Sequence, residues 1–364
     1  MAFYTIIFIS LLLASFLEVI SNNKRYSTTI FTLFLFIFFI LSFIRWKTGT
    51  DWESYYNMYT WIDKPWNIFN NGMELGYNFI NHLGKFLFNN YTGVLFLFST
   101  IIYICIGRTY ITLSKYPITS LFLSFCILSF AHIMYVRQNV AVVITGWSIY
   151  YIITQNKWKF IICVLIASLF HRTALIFLLA YPIFYKSYSA KYYCVSIIGA
   201  LVIGTLVGKL FLNIIGGLGL GIISSKINGY LELGSEDNSM AISTTTVLVK
   251  GFINRSFMLF LIFYCKYKLK HNSLFFNGLT NLYILGTILY FITLPLSISL
   301  ARIAVYMDSL QVILIPYIIY QQKTLYNRIL FFILVSSYFY LRFYLYIISF
   351  KTAYIPFITI FQHN

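Results

Sequence analysis

The chain has 364 residues, of which 60% are hydrophobic and only 10% charged, and its formal net charge is +17. Its mean hydropathy of +0.80 excludes the class of soluble globular domains. The basic residues are dispersed over short connections instead of forming one tract, which indicates membrane topology and not nucleic-acid binding. The cysteines lie within or at the ends of apolar runs without metal-ligand spacing, so neither a disulfide framework nor a zinc site is predicted. We expect no metal and no cofactor.

Apolar runs of near membrane-spanning length recur from end to end and predict an all-α polytopic integral membrane protein, because helices satisfy their backbone hydrogen bonds within the bilayer. We expect about 11–12 transmembrane or re-entrant helices in a single transmembrane domain over residues 1–364. The runs lie at 2–20, 28–44, 91–107, 118–136, 139–154, 160–170, 173–185, 192–214, 246–265, 274–294, 299–320 and 329–350. The runs at 160–170 and 173–185 are too short for upright spans, and they predict either a re-entrant hairpin or one longer span.

Lysine and arginine at every second connection predict the orientation of the chain. With the basic connections on the cytoplasmic side, both termini face outside. Arginine is enriched outside those connections. Its planar guanidinium can bind a phosphate through two parallel hydrogen bonds. These arginines are Arg45, Arg137, Arg172, Arg255, Arg302 and Arg342. Glu18, near the cytoplasmic end of the first run, is expected to pair with Lys24 or Arg25.

Two long connections are predicted on the outer side, at 45–90 and about 216–245. The first ends in an amphipathic segment at about 74–87, expected to form a helix on the membrane surface. Its apolar face contains Leu75, Phe79, Leu83, Phe86 and Leu87, and its polar face contains Glu74, Asn78, Asn81, His82 and Lys85. The second connection begins glycine-rich and predicts either a mobile lid or a plain flexible connection.

Ionisable residues within or at the ends of spans are the candidates for chemistry. The stretch from Arg45 to Tyr56 has the densest charge and contains Asp51 and Tyr55. Arg137-Gln138-Asn139 interrupts apolar sequence and predicts either a tight turn or a phosphate contact.

His171-Arg172 lies between the two short runs, where a neutral imidazole beside a cation suits a general base. Farther along, Arg302 and Tyr306 are spaced to share a helix face. Asp308 is expected either to pair with a charge on another helix or to face a cavity. Arginines suit phosphate, and aromatic rings with carboxylates suit sugars, so together these residues predict a lipid-linked phosphosugar substrate.

A series of short motifs resembles the EpsG family of Wzy-like polysaccharide polymerases in order along nearly the whole chain. The motifs are Arg-x-x-x-Gly-Thr-Asp-x-x-x-Tyr (Arg45 to Tyr55), Glu-x-Gly-Tyr (Glu74, Gly76, Tyr77), Arg-Gln (Arg137, Gln138), Ala-Ser-Leu-Phe-His-Arg-Thr-Ala-Leu (Ala167 to Leu175) and Arg-x-x-x-Tyr (Arg302, Tyr306). The very short runs around His171 are a departure from the family pattern.

The resemblance implies a GT-C-like polymerase or ligase architecture in the bacterial cytoplasmic membrane, with the active site facing the periplasm or exterior. It implies that oligosaccharide repeat units carried on undecaprenyl pyrophosphate are joined by a metal-independent, inverting glycosyl transfer. A chain-length regulator of the polysaccharide co-polymerase type is a candidate partner, besides the lipid-linked oligosaccharide and the bilayer. A lipid-linked oligosaccharide flippase and a membrane O-acyltransferase of polysaccharide are the alternatives.

The leaving pyrophosphate requires cations, and the attacking hydroxyl requires a base. We expect Arg137 and Arg302 to stabilise the pyrophosphate, with Arg172 and Arg45 as further contacts. His171 is the expected base, with Asp51 second. Substrate binding is further expected from Gln138, Tyr306, Glu74 and Tyr55.

Overall fold

The computed structural model describes residues 1–62, 72–127, 137–207, 244–270 and 272–362. In these ranges the secondary structure is helical apart from one isolated bridge between Arg45 and Thr359. The predicted all-α polytopic class is confirmed. Seven segments in the described part of the chain are long and apolar enough to cross a membrane. They are Ala2–Ser21, Lys24–Ile44, Tyr91–Leu113, Thr245–Lys268, Leu274–Thr293, Ile298–Tyr320 and Leu325–Ser349.

The chain divides into two compact units. Unit 1 comprises Met1–Leu178 and Val312–Asn364, and unit 2 comprises Leu179–Gln311. The helices of unit 1 are α1 (Ala2–Ser21), α2 (Lys24–Ile44), α3 (Trp52–Thr60), α4 (Leu75–Phe88), α5 (Tyr91–Leu113), α6 (Pro117–Ile127), α7 (Arg137–Ile153), α8 (Lys157–Ser168) and a 3-10 helix (Arg172–Leu179). After unit 2 it continues with α15 (Gln311–Tyr320), α16 (Leu325–Ser349), α17 (Lys351–Tyr354) and a 3-10 turn (Ile360–Gln362).

Unit 2 is built around α12, against which its other helices pack. Its helices are α9 (Ala180–Phe184), α10 (Ala190–Val202), α11 (Thr244–Phe263), α12 (Leu274–Thr293), α13 (Ile298–Ala301), a 3-10 turn (Arg302–Ala304) and α14 (Val305–Asp308). The π-helical segments Ile203–Val207 and Tyr264–Lys268 extend α10 and α11.

Polar residues between the apolar runs fix where several helices of unit 1 begin. The Asn23 side chain accepts hydrogen bonds from the backbone N–H groups of Arg25 and Tyr26 at the start of α2. Asn90 accepts one from Gly93 at the start of α5, and Asn156 one from Lys159 at the start of α8. Such caps satisfy N–H groups that have no partner within the helix. The helix starts are therefore encoded locally.

One end of unit 1 gathers distant parts of the chain. The Tyr4 hydroxyl at the start of α1 donates to the Tyr354 carbonyl at 2.7 Å. The Trp46 N–H, just after α2, donates to the Ile358 carbonyl at 2.8 Å. The start of α1, the end of α2 and the C-terminal segment therefore lie together, and we call this the Arg45 end of unit 1.

The expectation that Glu18 forms an ion pair with Lys24 or Arg25 is wrong. Glu18 is buried, whereas both basic residues are exposed. Its carboxylate accepts hydrogen bonds from the N–H groups of Ile118 at 3.0 Å and Thr119 at 2.8 Å, and from the Ser27 hydroxyl. The start of α6 supplies the two N–H donors together with the positive end of its helix dipole, so the carboxylate is satisfied without a cation.

The amphipathic helix predicted at about 74–87 is α4. Its asparagines Asn78 and Asn81 are 1% exposed, whereas Phe79 and Phe86 are 56% and 85% exposed. The polar face therefore packs inward and the apolar face points away from unit 1, which is the arrangement expected of a helix that faces lipid. The second predicted outer loop lies, apart from its last two residues, outside the described residues.

Candidate active site

The Glu74–Arg137 pair is the centre of the candidate site, at the Arg45 end of unit 1. Glu74 Oε2 accepts a hydrogen bond from Arg137 Nη2 at 2.6 Å, and the two side chains are 10% and 22% exposed. Glu74 directly precedes α4 but makes no side-chain capping bond to it. Charge-assisted bonds in such partly buried surroundings are stronger than those of exposed pairs. Glu74 therefore fixes a guanidinium that is still partly open to solvent.

The aromatic ring of Tyr77 supports the same guanidinium. Arg137 Cζ lies 5.7 Å from the centre of this ring, which stacks on Phe98 at 5.6 Å and contacts Tyr55 at 5.7 Å. Burial is the largest cause that raises the pKa of the Tyr77 phenol well above its ordinary value. The phenol therefore stays neutral, and its ring face is available for a cation–π contact with Arg137.

A backbone contact joins the start of α4 to the segment that precedes His171. The Gly76 N–H donates to the Leu169 carbonyl at 2.7 Å. A Cβ atom added at Gly76 would lie 2.9 Å from that oxygen, so only glycine permits this approach without a shift. The contact brings the Glu-x-Gly-Tyr and His-Arg motifs, about 95 residues apart in sequence, to one place.

His171 and Arg172 follow this contact at the turn between α8 and the 3-10 helix. His171 is partly exposed, and its Nδ1 lies 2.6 Å from the Thr173 hydroxyl. Arg172 is exposed at the first position of the 3-10 helix. The imidazole is thus oriented by a hydroxyl, and a second arginine stands next to it. As predicted, neither α8 nor the segment after it is long enough for an upright span.

Arg45 and Asp51 occupy different environments within the first outer loop. Arg45 is 1% exposed, and its Nη1 donates to the Thr48 carbonyl at 2.9 Å. Burial is the largest cause lowering the pKa of this guanidinium, and the nearby tyrosines, Tyr91 first, oppose that shift. Asp51, which precedes α3, and Tyr55 within it are both partly exposed. Arg45 therefore faces the interior of the loop, while Asp51 and Tyr55 are open to solvent.

The C-terminal segment holds this loop in place. The Gly49 N–H donates to the Ala353 carbonyl at 2.9 Å. The Ile358 N–H donates to the Thr48 hydroxyl at 3.1 Å. The loop conformation thus depends on residues about 310 positions later in the chain, and no sequence pattern indicated that pairing.

Arg137, Gln138 and Asn139 are helical, so the alternative of a tight turn at these residues is wrong. They belong to α7, which packs against α5 and α8. Gln138 is partly exposed and has contacts of its own. The helical backbone fixes the direction of the Arg137 side chain toward α4.

The remaining predicted residues lie in unit 2. Arg302 is exposed, whereas Tyr306 is 0% exposed. A 3-10 turn at Arg302–Ala304 lies within this segment, and the shared helix face of the two residues stays a prediction. Asp308 forms an ion pair with Arg255 on α11, so the predicted alternative of pairing with a charge on another helix is confirmed. Arg255 Cζ also lies 3.5 Å from the centre of the Tyr290 ring.

The roles of Gly76, Tyr77 and Phe98 were not predicted from the sequence. Gly76 and Tyr77 belong to the Glu-x-Gly-Tyr motif, in which a glycine beside an acidic residue is a signal for close backbone approach. Phe98 lies in an apolar run and gives no signal of its own. Within the described ranges, no group of three or more His, Cys, Asp or Glu side chains is placed to hold a metal ion.

Comparison with known proteins identifies one family. The model of the EpsG family matches residues 27–359. No curated protein and no solved structure matches the chain. The matched range includes every motif residue of the candidate site.

Proposed function

Because the chain belongs to the EpsG family, we propose that it is a polysaccharide polymerase that joins lipid-linked oligosaccharide repeat units. Family membership and the membrane spans support a membrane polysaccharide polymerase-like role in general. The finer proposal is a Wzy-type transfer of the growing glycan from undecaprenyl pyrophosphate onto a hydroxyl of a new lipid-linked unit. Its main support is the Gly76–Leu169 contact, which brings the Glu74–Arg137 pair next to the His171 segment.

In the proposed reaction, the acceptor hydroxyl oxygen bonds to the anomeric carbon of the donor sugar. The bond from that carbon to the pyrophosphate oxygen breaks, and its electron pair leaves with the pyrophosphate. Attack from the opposite side inverts the anomeric centre. The hydroxyl proton passes to a base, for which we propose His171 because its Nδ1 is already oriented by Thr173. Asp51 is the second candidate, on the partly exposed start of α3.

Arg137 is proposed to stabilise the charge that develops on the leaving pyrophosphate. Its guanidinium is fixed by Glu74 and Tyr77 yet remains 22% exposed. A preorganised cation aimed at developing charge is a large term in catalysis. Arg172 is a further contact, and Tyr55 with Asp51 would lie against the sugar. Arg45 is proposed to hold the loop that carries them, because its guanidinium is buried. Arg302 and Tyr306 in unit 2 stay predictions from sequence.

The proposed location is the bacterial cytoplasmic membrane, with the Arg45 end facing the periplasm or exterior. The substrates on that side would be lipid-linked repeat units, and the proposed reaction uses no nucleotide-sugar donor. A chain-length regulator of the co-polymerase type remains a proposed partner.

Purified protein incubated with a lipid-pyrophosphate-linked repeat unit, without an acyl donor, tests this function. We expect a ladder of longer glycans that is lost in Arg137→Ala and His171→Ala at normal protein levels. Unchanged glycan redistributed between the two leaflets of proteoliposomes would instead indicate a flippase. Acyl transfer after addition of an acyl donor, with no lengthening, would indicate an O-acyltransferase.

A further inference from the structure

A second group of cations lies at the end of unit 1 opposite the Arg45 end. Lys115 follows α5, Tyr320 ends α15, and Arg328 lies in the first turn of α16. Lys115 Nζ is 5.4 Å and Arg328 Cζ is 5.5 Å from the centre of the Tyr320 ring. One ring therefore has two cations within cation–π distance. We call these three residues the Lys115–Arg328 cluster.

The cluster has no acidic counterpart within the described ranges. The ion pairs there join Glu74 to Arg137 and Asp308 to Arg255. Glu18, the acidic residue near this end, uses both carboxylate oxygens for hydrogen bonds to Ile118 and Thr119. Two cations near one ring without a carboxylate repel each other. An external anion between them would remove that repulsion.

The surroundings of the cluster favour a lipid over a free anion. Three candidate membrane spans end or begin here, namely Tyr91–Leu113, Ile298–Tyr320 and Leu325–Ser349. Exposed apolar side chains flank the cations on the same helices: Ile111 is 45%, Leu325 47% and Tyr326 70% exposed. Such side chains would contact acyl chains while the cations reach the phosphate, as basic pockets between helices do with anionic headgroups.

We propose that the Lys115–Arg328 cluster binds the headgroup of an anionic phospholipid. Lys115 and Arg328 would hold the phosphate, and the Tyr320 ring would support both cations. This site is separate from the one that contains Glu74 and Arg137, and it does not depend on the proposed polymerase activity. The lipid would anchor the α5–α6 connection to the start of α16.

Binding of a fluorescent phosphatidylglycerol to the detergent-purified full-length protein tests the proposal. Unlabelled phosphatidylglycerol should displace the probe far better than phosphatidylcholine or inorganic phosphate. Each removed cation should weaken binding roughly fivefold, so Lys115→Ala/Arg328→Ala should bind about 25-fold more weakly. Lys115→Arg/Arg328→Lys should keep most of the affinity because both charges remain.

The matched control is Lys24→Ala/Arg25→Ala, because both residues are exposed near the same end and neither makes a cation–π contact with the residues that the structure describes. It should change the affinity less than twofold. Arg328 Nε also donates to the Gln322 carbonyl, so its removal carries a risk of misfolding. The Lys115→Gln variant changes an exposed residue and tests the cluster without that risk. We expect it to bind the lipid roughly fivefold more weakly. The proposal would be overturned if phosphatidylcholine displaced the probe as well as phosphatidylglycerol does, or if inorganic phosphate by itself displaced it. Equal losses of affinity in the Lys115→Ala/Arg328→Ala and Lys24→Ala/Arg25→Ala variants would also overturn it.

Discussion

Arg137 is held by two neighbours of different kinds, the Glu74 carboxylate and the Tyr77 ring. Both contacts leave part of the guanidinium exposed, so the pair differs from a structural salt bridge that is sealed from solvent. In the proposed mechanism Glu74 acts only by positioning Arg137. The two residues should therefore behave as one unit when activity is measured.

A double-mutant cycle tests this coupling. Arg137→Ala should lower kcat about 10²–10³-fold, as for the loss of one preorganised charge stabiliser. Glu74→Gln should lower it roughly tenfold, and the double variant should be no slower than Arg137→Ala alone. Glu53→Gln, which alters an exposed carboxylate on α3, is the matched control and should be near wild type. Additive losses would contradict the positioning role of Glu74.

The role of His171 predicts a dependence of activity on pH. A general base must be unprotonated, so kcat/KM should fall along an acidic limb of the pH profile, where the base becomes protonated. His171→Gln should have low activity and lose this acidic limb, because no imidazole remains to be protonated. Asp51→Asn should keep the limb. A limb that persists in His171→Gln and disappears in Asp51→Asn would assign the base to Asp51 instead.

At the scale of elements, the start of α4 depends on a glycine. Gly76→Ala would place a Cβ atom 2.9 Å from the Leu169 carbonyl oxygen, and α4 must then move away from the His171 segment. We expect a destabilisation of about 1–3 kcal/mol, as for overpacking of a close contact, and a loss of activity larger than the lost stability explains.

Gly146→Ala is the control for Gly76→Ala, because no atom of the described residues lies within 4 Å of a Cβ atom added there. Gly146 is in α7, the helix that begins with Arg137. This variant should be neutral or slightly stabilising, since alanine favours a helix over glycine. Thermal unfolding in detergent gives the stability, and glycan ladders give the activity. Equal behaviour of the two variants would refute the importance of the Gly76–Leu169 approach.

The sequence was sufficient to predict α4 and its two faces, because a 3.6-residue apolar period is visible without tertiary information. It could not show that Asn78 and Asn81 are the buried side, since that depends on what α4 packs against. The spacing of Arg302 and Tyr306 could not show the 3-10 turn at Arg302–Ala304, because a spacing argument assumes a regular α-helix. The Glu18 prediction failed because the start of α6, a hundred residues away, supplies the donors.

At the scale of the whole molecule, the helix order of unit 1 determines which motifs meet. The Arg45 end contains the start of α1, the end of α2, the start of α4 and the C-terminal segment. The predicted passage of the chain across the membrane requires the same arrangement. Family membership agrees with the resemblance found in short motifs along the sequence. The Glu74–Arg137 and Gly76–Leu169 contacts join motifs that are distant in sequence. They are visible only in the structure, because no pattern in a single sequence indicates such pairings.

In the proposed reaction, each new glycosidic bond forms as one bond between a sugar and a lipid pyrophosphate breaks. The most direct measurement counts both products from purified protein and a radiolabelled lipid-pyrophosphate-linked repeat unit. We predict one undecaprenyl pyrophosphate released for each repeat unit added to the glycan, and loss of both products together in Arg137→Ala. Glycan lengthening without release of lipid pyrophosphate, or release without lengthening, would contradict the proposed reaction.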